Sequence, residues 1–237
     1  MKFAERIAGV AGVDNELVVE IGSGRGILTR QLAKRAEKVI AVELDRKLAC
    51  FLEGERISRV DVLNRDFLGL ELSDFSAPVI VGNIPYGITS AIIEKLAGSR
   101  HQLKRAVFTV QKEYASRMVA SPGSPDRGYL SIYANYHFAI AREFTIPARF
   151  FSPRPKVNSV VVTLRPKEPV LGEESAKNLF QFIAGVFRYR RKSLKNAIMK
   201  HMDWRPCGPL PELFAKRPQH LDFDDFRRIY ELVERGI

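Results

Sequence analysis

The sequence predicts an α/β domain built on a parallel sheet, followed by a small helical domain. Three observations carry this reading. Through the first two-thirds of the chain, short apolar runs alternate with stretches of helical periodicity. Three successive runs are closed by Gly22, Glu43 and Asp66, as strands that end at one ligand-binding edge would be. From Arg165-Pro166-Lys167-Glu168-Pro169 onward, strand-like alternation stops and only helical spacing continues. The domains are accordingly expected at 1–166 and 167–237.

The elements follow in order. MKFAERIAGVAGVDNE reads as an amphipathic helix, and Leu17 to Ile21 as the first strand. A turn with Gly22, Gly24 and Gly26 comes next. It leads into a predicted helix whose apolar residues Ile27, Leu28, Leu32 and Ala36 fall near helical spacing. Val39 to Val42 is the second strand, ending in Glu43. A third short strand precedes Asp66 and Phe67. The fourth, in PVIVGNIPYG, ends in Asn83-Ile84-Pro85-Tyr86. Ala106 to Val110 and Val157 to Leu164 are further strands, the latter bounded by Pro155 and Pro166. Pro122, Gly123 and Pro125 in ASPGSPDRG predict a mobile loop after the helix VQKEYASRM. Leu179, Phe180, Phe182, Ile183 and Phe187, and later Phe223, Phe226, Ile229, Tyr230 and Val233, keep helical spacing.

The chemistry concentrates at the strand ends. Glycines let a backbone turn sharply and approach a ligand closely. Glu43, one βαβ unit downstream, is placed to accept hydrogen bonds from ribose hydroxyls. This pattern also occurs in dinucleotide sites, but two details count against one here. Glu20 directly before the turn would repel a pyrophosphate and suits a cation, and the glycines are spaced G-x-G-x-G. S-adenosylmethionine, with a ribose, an α-amino group and no phosphate, fits better. Asp66 is placed to accept from the cofactor's adenine amine while Phe67 packs beside it. In the Asn83 turn, the Asn oxygen and the next carbonyl can accept from one exocyclic amine. Pro85 fixes its own φ and biases Ile84 away from helix, and the Tyr86 ring can stack on a heterocycle. That set suits an adenine amino group held for alkylation.

At 237 residues with 46% apolar content, the chain can bury a sizeable core. A net charge of +11 calls for an anionic partner. No apolar run approaches the roughly 18 residues of a membrane span, and no secretory signal is recognisable. The two cysteines, Cys50 and Cys207, have no C-x-x-C partner and suggest free thiols in a reducing, cytoplasmic setting. The four histidines show no metal spacing. Arg188, Arg190, Arg191, Lys192, Lys195 and Lys200 form a basic patch, and no acidic residue occurs from Ala176 to Met202. Such one-sidedness favours phosphate contacts.

Taken together, VVEIGSGRGILT, VELD, RDF, VGNIPYGI, VQKEYASRM, RGYLSIY, FFSPRPKVNSVVV and FRYRRKSLKNAI resemble the ribosomal RNA adenine dimethyltransferase family. RGYLS and RPQHLDFDDF look more like its small-subunit dimethyladenosine transferases than its antibiotic-resistance methylases. The resemblance implies a Rossmann-like S-adenosylmethionine-dependent methyltransferase sheet and a cofactor site of Glu20, Gly22, Gly24, Glu43, Leu44, Asp66, Phe67 and Asn83. It implies catalysis at Asn83, Ile84, Pro85 and Tyr86, with Phe151 stacking on the target base opposite Tyr86. Of Phe150 and Phe151, the other is expected in the core. Lys156 is implied to lie beside the phosphate backbone. The expected partner is small-subunit ribosomal RNA or a pre-ribosomal particle, met by a monomer. Family members usually carry a basic GQ-x-F-L segment before the first helix, which contacts the cofactor and helps cover the site; here the match begins within that helix. A ribosome-assembly factor with secondary or lost catalysis, and a large-subunit adenine methylase, are the alternative readings. A nucleotide-dependent oxidoreductase is disfavoured by Glu20 and the Asn83 turn.

Overall fold

A computed structural model describes residues 2–85 and 87–236. The chain divides into two compact units. One comprises Met1–Ala115 with His137–Lys167, the other Ser116–Tyr136 with Glu168–Ile237. The break near residue 167 falls where proline-rich, charged sequence begins. The segment 116–136 departs from the sequence-based division, because it packs with the second unit. Its Ile132 and Tyr136 belong to that unit's core.

The first unit is a seven-stranded sheet in the order β3-β2-β1-β4-β5-β7-β6. Strands β1 (Leu17–Ile21), β2 (Lys38–Val42), β3 (Val60–Leu63), β4 (Val79–Asn83) and β5 (Arg105–Gln111) run parallel. Val18, Val19, Val79, Ile80 and Val81 are fully buried, as strands covered on both faces require. The parallel reading fails beyond β5. There β6 (Phe138–Ile146) and β7 (Ser159–Pro166) form an antiparallel pair, and β7 also lies antiparallel to β5. A loop over 147–158 joins β6 to β7 and holds only a 3-10 turn over Ala148–Phe150, without the helix that a crossover between parallel neighbours usually carries. The exposed positions of β6 carry Arg142 and Glu143, as edge strands commonly do.

Helix α1 (Lys2–Ala11) packs Ile7, Ala8 and Ala11 into the core with Leu32, Ala36, Val39, Val107 and Val161. It stops at Gly12, whose φ of 60° suits the residue after a helix end. Arg105 on β5 then donates through Nε to the Ala11 carbonyl at 2.7 Å, and through Nη2 to that of Gly12. The guanidinium thus satisfies carbonyls at the negative end of α1 and fixes the helix on the sheet. Helix α2 is one turn long (Thr29–Leu32). Leu32 and Ala36 are buried as the spacing predicts, but Ile27 precedes the helix and is 64% exposed. Helices α3 (Arg46–Gly54) and α4 (Thr89–Gly98) complete the crossovers, α3 capped by Asp45 accepting from the amides of Lys47 and Leu48. Helix α5 (Lys112–Met118) follows β5.

The second unit is helical: α6 (Tyr129–His137), α7 (Glu173–Phe187), α8 (Leu194–His201) and α9 (Phe223–Glu234). Phe180, Ile183, Val186, Leu194, Ile198, Phe226, Ile229 and Val233 meet in one core with Trp204 and Phe214. The apolar spacing read from α7 and α9 is therefore their buried face. The His201 ring of α8 lies against Gly185 on α7, and a Cβ there would sit 2.0 Å from it, so the ring would have to turn away. The predicted mobile loop is tied down. Gly123 N–H donates to the Gln219 carbonyl at 2.8 Å. Arg127, only 7% exposed, donates to the carbonyls of Ala120 at 2.6 Å and Leu221 at 3.3 Å.

Candidate active site

Four parallel strands deliver their C-terminal ends to one edge of the first unit. Gly22 follows β1, Glu43 follows β2, Asp66 lies just beyond β3, and Asn83 ends β4. Such an edge is where ligands bind in open α/β sheets. After β1 the chain turns through Gly22, Gly24 and Gly26, at φ of 68°, 55° and 76°. These left-handed conformations explain the three glycines. Glu43 holds the turn. Its Oε2 accepts from the Gly24 amide at 2.8 Å and its Oε1 from the Asp45 amide at 2.9 Å. A carboxylate accepts more than two hydrogen bonds, so each oxygen keeps capacity for another donor.

A cavity of about 290 Å³ opens beside this turn, lined among others by Glu20, Gly22, Ser23, Asn83, Thr109 and Phe151. Glu20 is 2% exposed. Burial raises its pKa to about 7, nearby Glu43 adds to the rise, and the Thr29 hydroxyl opposes it. Even so, Glu20 Oε2 and Thr29 Oγ1 have no hydrogen-bond partner of ordinary geometry. Ser23 Oγ and Thr109 Oγ1 are likewise buried and unpartnered. Buried polar atoms left in this state are costly. Three of them, on Glu20, Ser23 and Thr109, line one cavity and mark a surface built for a polar ligand.

The β4 turn faces the same cavity. Asn83 is exposed at the strand end, while Ile84 behind it is buried. Ile84 N–H donates to the Thr109 carbonyl at 3.1 Å, which extends the β4–β5 pairing into the turn. The Pro85 carbonyl accepts from the Ile88 amide at 3.1 Å and the Thr89 hydroxyl at 3.4 Å, joining the turn to α4. Gly82 is required just before it. A Cβ there would lie 2.9 Å from both the Ile21 carbonyl oxygen and Ile84 Cδ1. Tyr86 lies outside the described residues.

The aromatic segment forms the opposite wall. A 3-10 turn over Ala148–Phe150 leads into Phe151, which is half-buried against the core of the first unit. Phe150 departs from expectation: it is 57% exposed and not a core residue. Both rings line the cavity. Asn158, to which sequence reasoning gave no role, holds the segment. Its Oδ1 accepts from the Ala148 amide at 3.0 Å, and its backbone carbonyl accepts from the Lys112 amide at 3.0 Å. Neither this tie nor the Thr109 hydroxyl has a local sequence signal.

Other candidates lie apart from the cavity lining. Asp66 is exposed and accepts from the Leu68 amide at 2.9 Å, capping the turn that buries Phe67. Leu44 is 70% exposed, and its carbonyl accepts from Asn64 Nδ2 at 3.1 Å. Lys156 is exposed. Arg188, Arg190, Arg191 and Lys192 occupy the connection between α7 and α8, with Lys195 and Lys200 on α8 itself. All six are exposed, and no salt bridge involves them among the described residues. No group of three potential metal ligands occurs among the described residues.

A glycine turn after the first strand, a buried acid at that strand's end and the Asn83-Ile84-Pro85 turn after the fourth sit in the architecture of a Rossmann-like S-adenosylmethionine-dependent methyltransferase. The ribosomal RNA adenine dimethylase family profile matches residues 4–205, and the chain belongs to that family. The ribosomal RNA small subunit methyltransferase A of Desulfitobacterium hafniense is 37% identical, over the whole chain and 89% of the relative. That of Thermotoga petrophila is 39% identical, over the whole chain and 88% of the relative. The crystal structure of a Plasmodium falciparum dimethyladenosine transferase superposes with a TM-score of 0.82 at 27% identity, covering 100% of this chain and 97% of that one. The 23S rRNA methyltransferase ErmE superposes at 0.72 with 26% identity, covering 98% and 97%.

Proposed function

We propose that this protein transfers methyl groups from S-adenosylmethionine to the exocyclic amine of adenines in small-subunit ribosomal RNA, acting as a single chain in the cytoplasm during ribosome assembly. The observation that carries the site is the gathering of unpartnered buried polar atoms, Glu20 Oε2 foremost, at a cavity that Asn83 and Phe151 also line. The residues fit the cofactor's chemistry. The glycine turn leaves its backbone open, Glu20 suits a cationic group, and Glu43 keeps acceptor capacity for hydroxyls. S-adenosylmethionine, when bound, supplies a methyl already activated by its sulfonium, so no enzyme nucleophile is called for. Small-subunit RNA is favoured as substrate because the relatives that bear that name are 37% and 39% identical to this chain, against 26% for the 23S enzyme ErmE.

The acceptor is the harder half of the reaction. An adenine amine has its lone pair delocalised into the ring. The Asn83 side-chain oxygen and the Ile84 carbonyl accept hydrogen bonds from that amine, drawing it toward tetrahedral geometry. The same oxygens stabilise the positive charge that develops on nitrogen. The β4–β5 pairing through Ile84 holds them without reorganisation. Phe151 stacks on the extracted base, and the amine's proton leaves to water. Lys156 and the patch from Arg188 to Lys195 meet phosphates.

The test is mass analysis of adenines from immature small-subunit particles incubated with protein and cofactor. Dimethyladenine is expected with the unsubstituted protein. Asn83→Ala is expected to lower kcat by at least about a hundredfold, the scale of removing a transition-state hydrogen bond, with particle affinity little changed. A near-normal rate for Asn83→Ala would remove the turn from the mechanism.

A further inference from the structure

Beside the catalytic cavity, three successive rings flanked by two guanidinium groups run across the surface of the first unit. Arg6 on α1 lies over the Phe144 ring, 3.9 Å from its centroid. Phe144 stacks with Phe3 at 6.3 Å and 20°. Phe3 meets Phe150 edge-on at 4.9 Å. Arg149 sits 5.2 Å from the Phe150 centroid. Phe144 directly follows the irregularity in the β6–β7 register; such irregularities re-aim side chains.

This array borders a second cavity, lined by Lys2, Phe3, Arg6 and Phe150. Phe3 and Phe150 line the catalytic cavity too, so the two spaces share a wall. The charge is one-sided. Lys2, Arg6 and Arg149 are exposed and in no salt bridge among the described residues. The nearest acid on the helix, Glu5, interacts with Arg35. An exposed aromatic face among unpaired cations is how proteins grip single-stranded nucleic acid, with stacked bases on rings and phosphates on the charges.

We propose that Phe150 is a second stacking platform, holding the base of a nucleotide next to the one in the catalytic cavity, with Lys2, Arg6 and Arg149 at the adjoining phosphates. The proposal rests on the RNA methyltransferase reading. It adds to that reading a subsite that binds a neighbour of the target and takes no part in methyl transfer. Phe150 and Phe151 then divide their work: Phe151 holds the reacting base, Phe150 holds the strand.

The test compares Phe150→Tyr, Phe150→Leu and Phe150→Ala in methylation of immature small-subunit particles at saturating cofactor, alongside direct particle binding without cofactor. Leucine keeps apolar packing against Phe3 but offers no ring. The leucine and alanine variants are expected to raise KM for particles and weaken direct binding by roughly tenfold, the scale of removing one base–aromatic stack. Tyrosine should stay near the unsubstituted protein. The effect should fall on KM, whereas Phe151→Leu should lower kcat. If Phe150→Leu binds and methylates normally, Phe150 is only a packing residue and the subsite is overturned. If the unsubstituted protein methylates no adenine yet Phe150→Leu loses particle affinity, the subsite stands and the catalytic reading falls.

Discussion

A carboxyl group sealed at the end of a strand can be satisfied by keeping a proton or by meeting a cation. Glu20 has the first option when alone, with a pKa of about 7 against an ordinary 4.5. Because the folded-state value is raised, the native protein holds the proton more tightly than the unfolded chain. The resulting stabilisation is fully present below pH 4.5 and is lost as pH rises through 7. Glu20→Gln is therefore expected to stabilise the protein at pH 8 by about 2–3 kcal/mol and to change little at pH 4. A cationic ligand selects the ionised form. Binding of S-adenosylmethionine should release a proton below pH 7, and affinity should rise by up to about tenfold per pH unit before levelling above it. Calorimetry in buffers of different ionisation enthalpy reads the proton directly. Cofactor affinity independent of pH from 5 to 8 would place Glu20 away from the cation. The residue type and its place before Gly22 were legible in the sequence, but its missing partner was not. An unsatisfied oxygen depends on what Thr29 and Glu43 do in three dimensions.

At the scale of elements, the geometry of the candidate site is a matter of how two loops are fastened. The Asn83 turn was legible because Asn, Pro and an apolar strand carry local signals, and parallel strands bring such endings to one edge. The aromatic loop was legible only in part. Two adjacent phenylalanines give no sign of which one is covered, and the core, with α1 above it, decides. The antiparallel direction of β7 was hidden for a similar reason: a buried apolar run reads the same in either direction. The tied loop over 120–128 was hidden because Arg127 reaches Leu221, 94 residues on. Asn158 belongs with these tertiary ties. Asn158→Ala leaves the Ala148 amide without its partner and is expected to cost about 1–3 kcal/mol of stability. It should also lower kcat as the Phe151 loop loosens. Asn158→Asp keeps the Oδ1 acceptor and should recover most of both. Thermal melts and single-turnover methylation on the two variants check this. Equal impairment in Asn158→Asp would mean that the acceptor is not what matters.

Over the whole molecule, the excess of eleven positive charges is concentrated rather than smeared. Twenty-seven consecutive residues from Ala176 to Met202 contain no acid. Within the second unit the patch cations point outward from a core of Phe180, Leu194 and Ile198. Packing against the unit's own core consumes the apolar residues of α7 and α8 and leaves the cations exposed. Phosphate contacts of this kind dominate affinity but carry little sequence information. Replacing Arg191, Lys192 and Lys195 by Glu should therefore weaken binding to small-subunit particles over all salt concentrations. Each phosphate that the variant no longer neutralises should reduce the magnitude of the log–log salt slope by roughly 0.7–0.9. Arg190 is left out of the set because its guanidinium donates to the Pro125 carbonyl at 3.4 Å, so replacing it would loosen the loop as well. S-adenosylmethionine affinity, read by calorimetry on the same variant, should not move, since none of the three residues lines the cavity beside Glu20. A variant with normal particle affinity and an unchanged slope would remove the patch from RNA binding. A fall in cofactor affinity together with particle affinity would mean that the second unit supports the first unit's site and is more than a handle on the RNA.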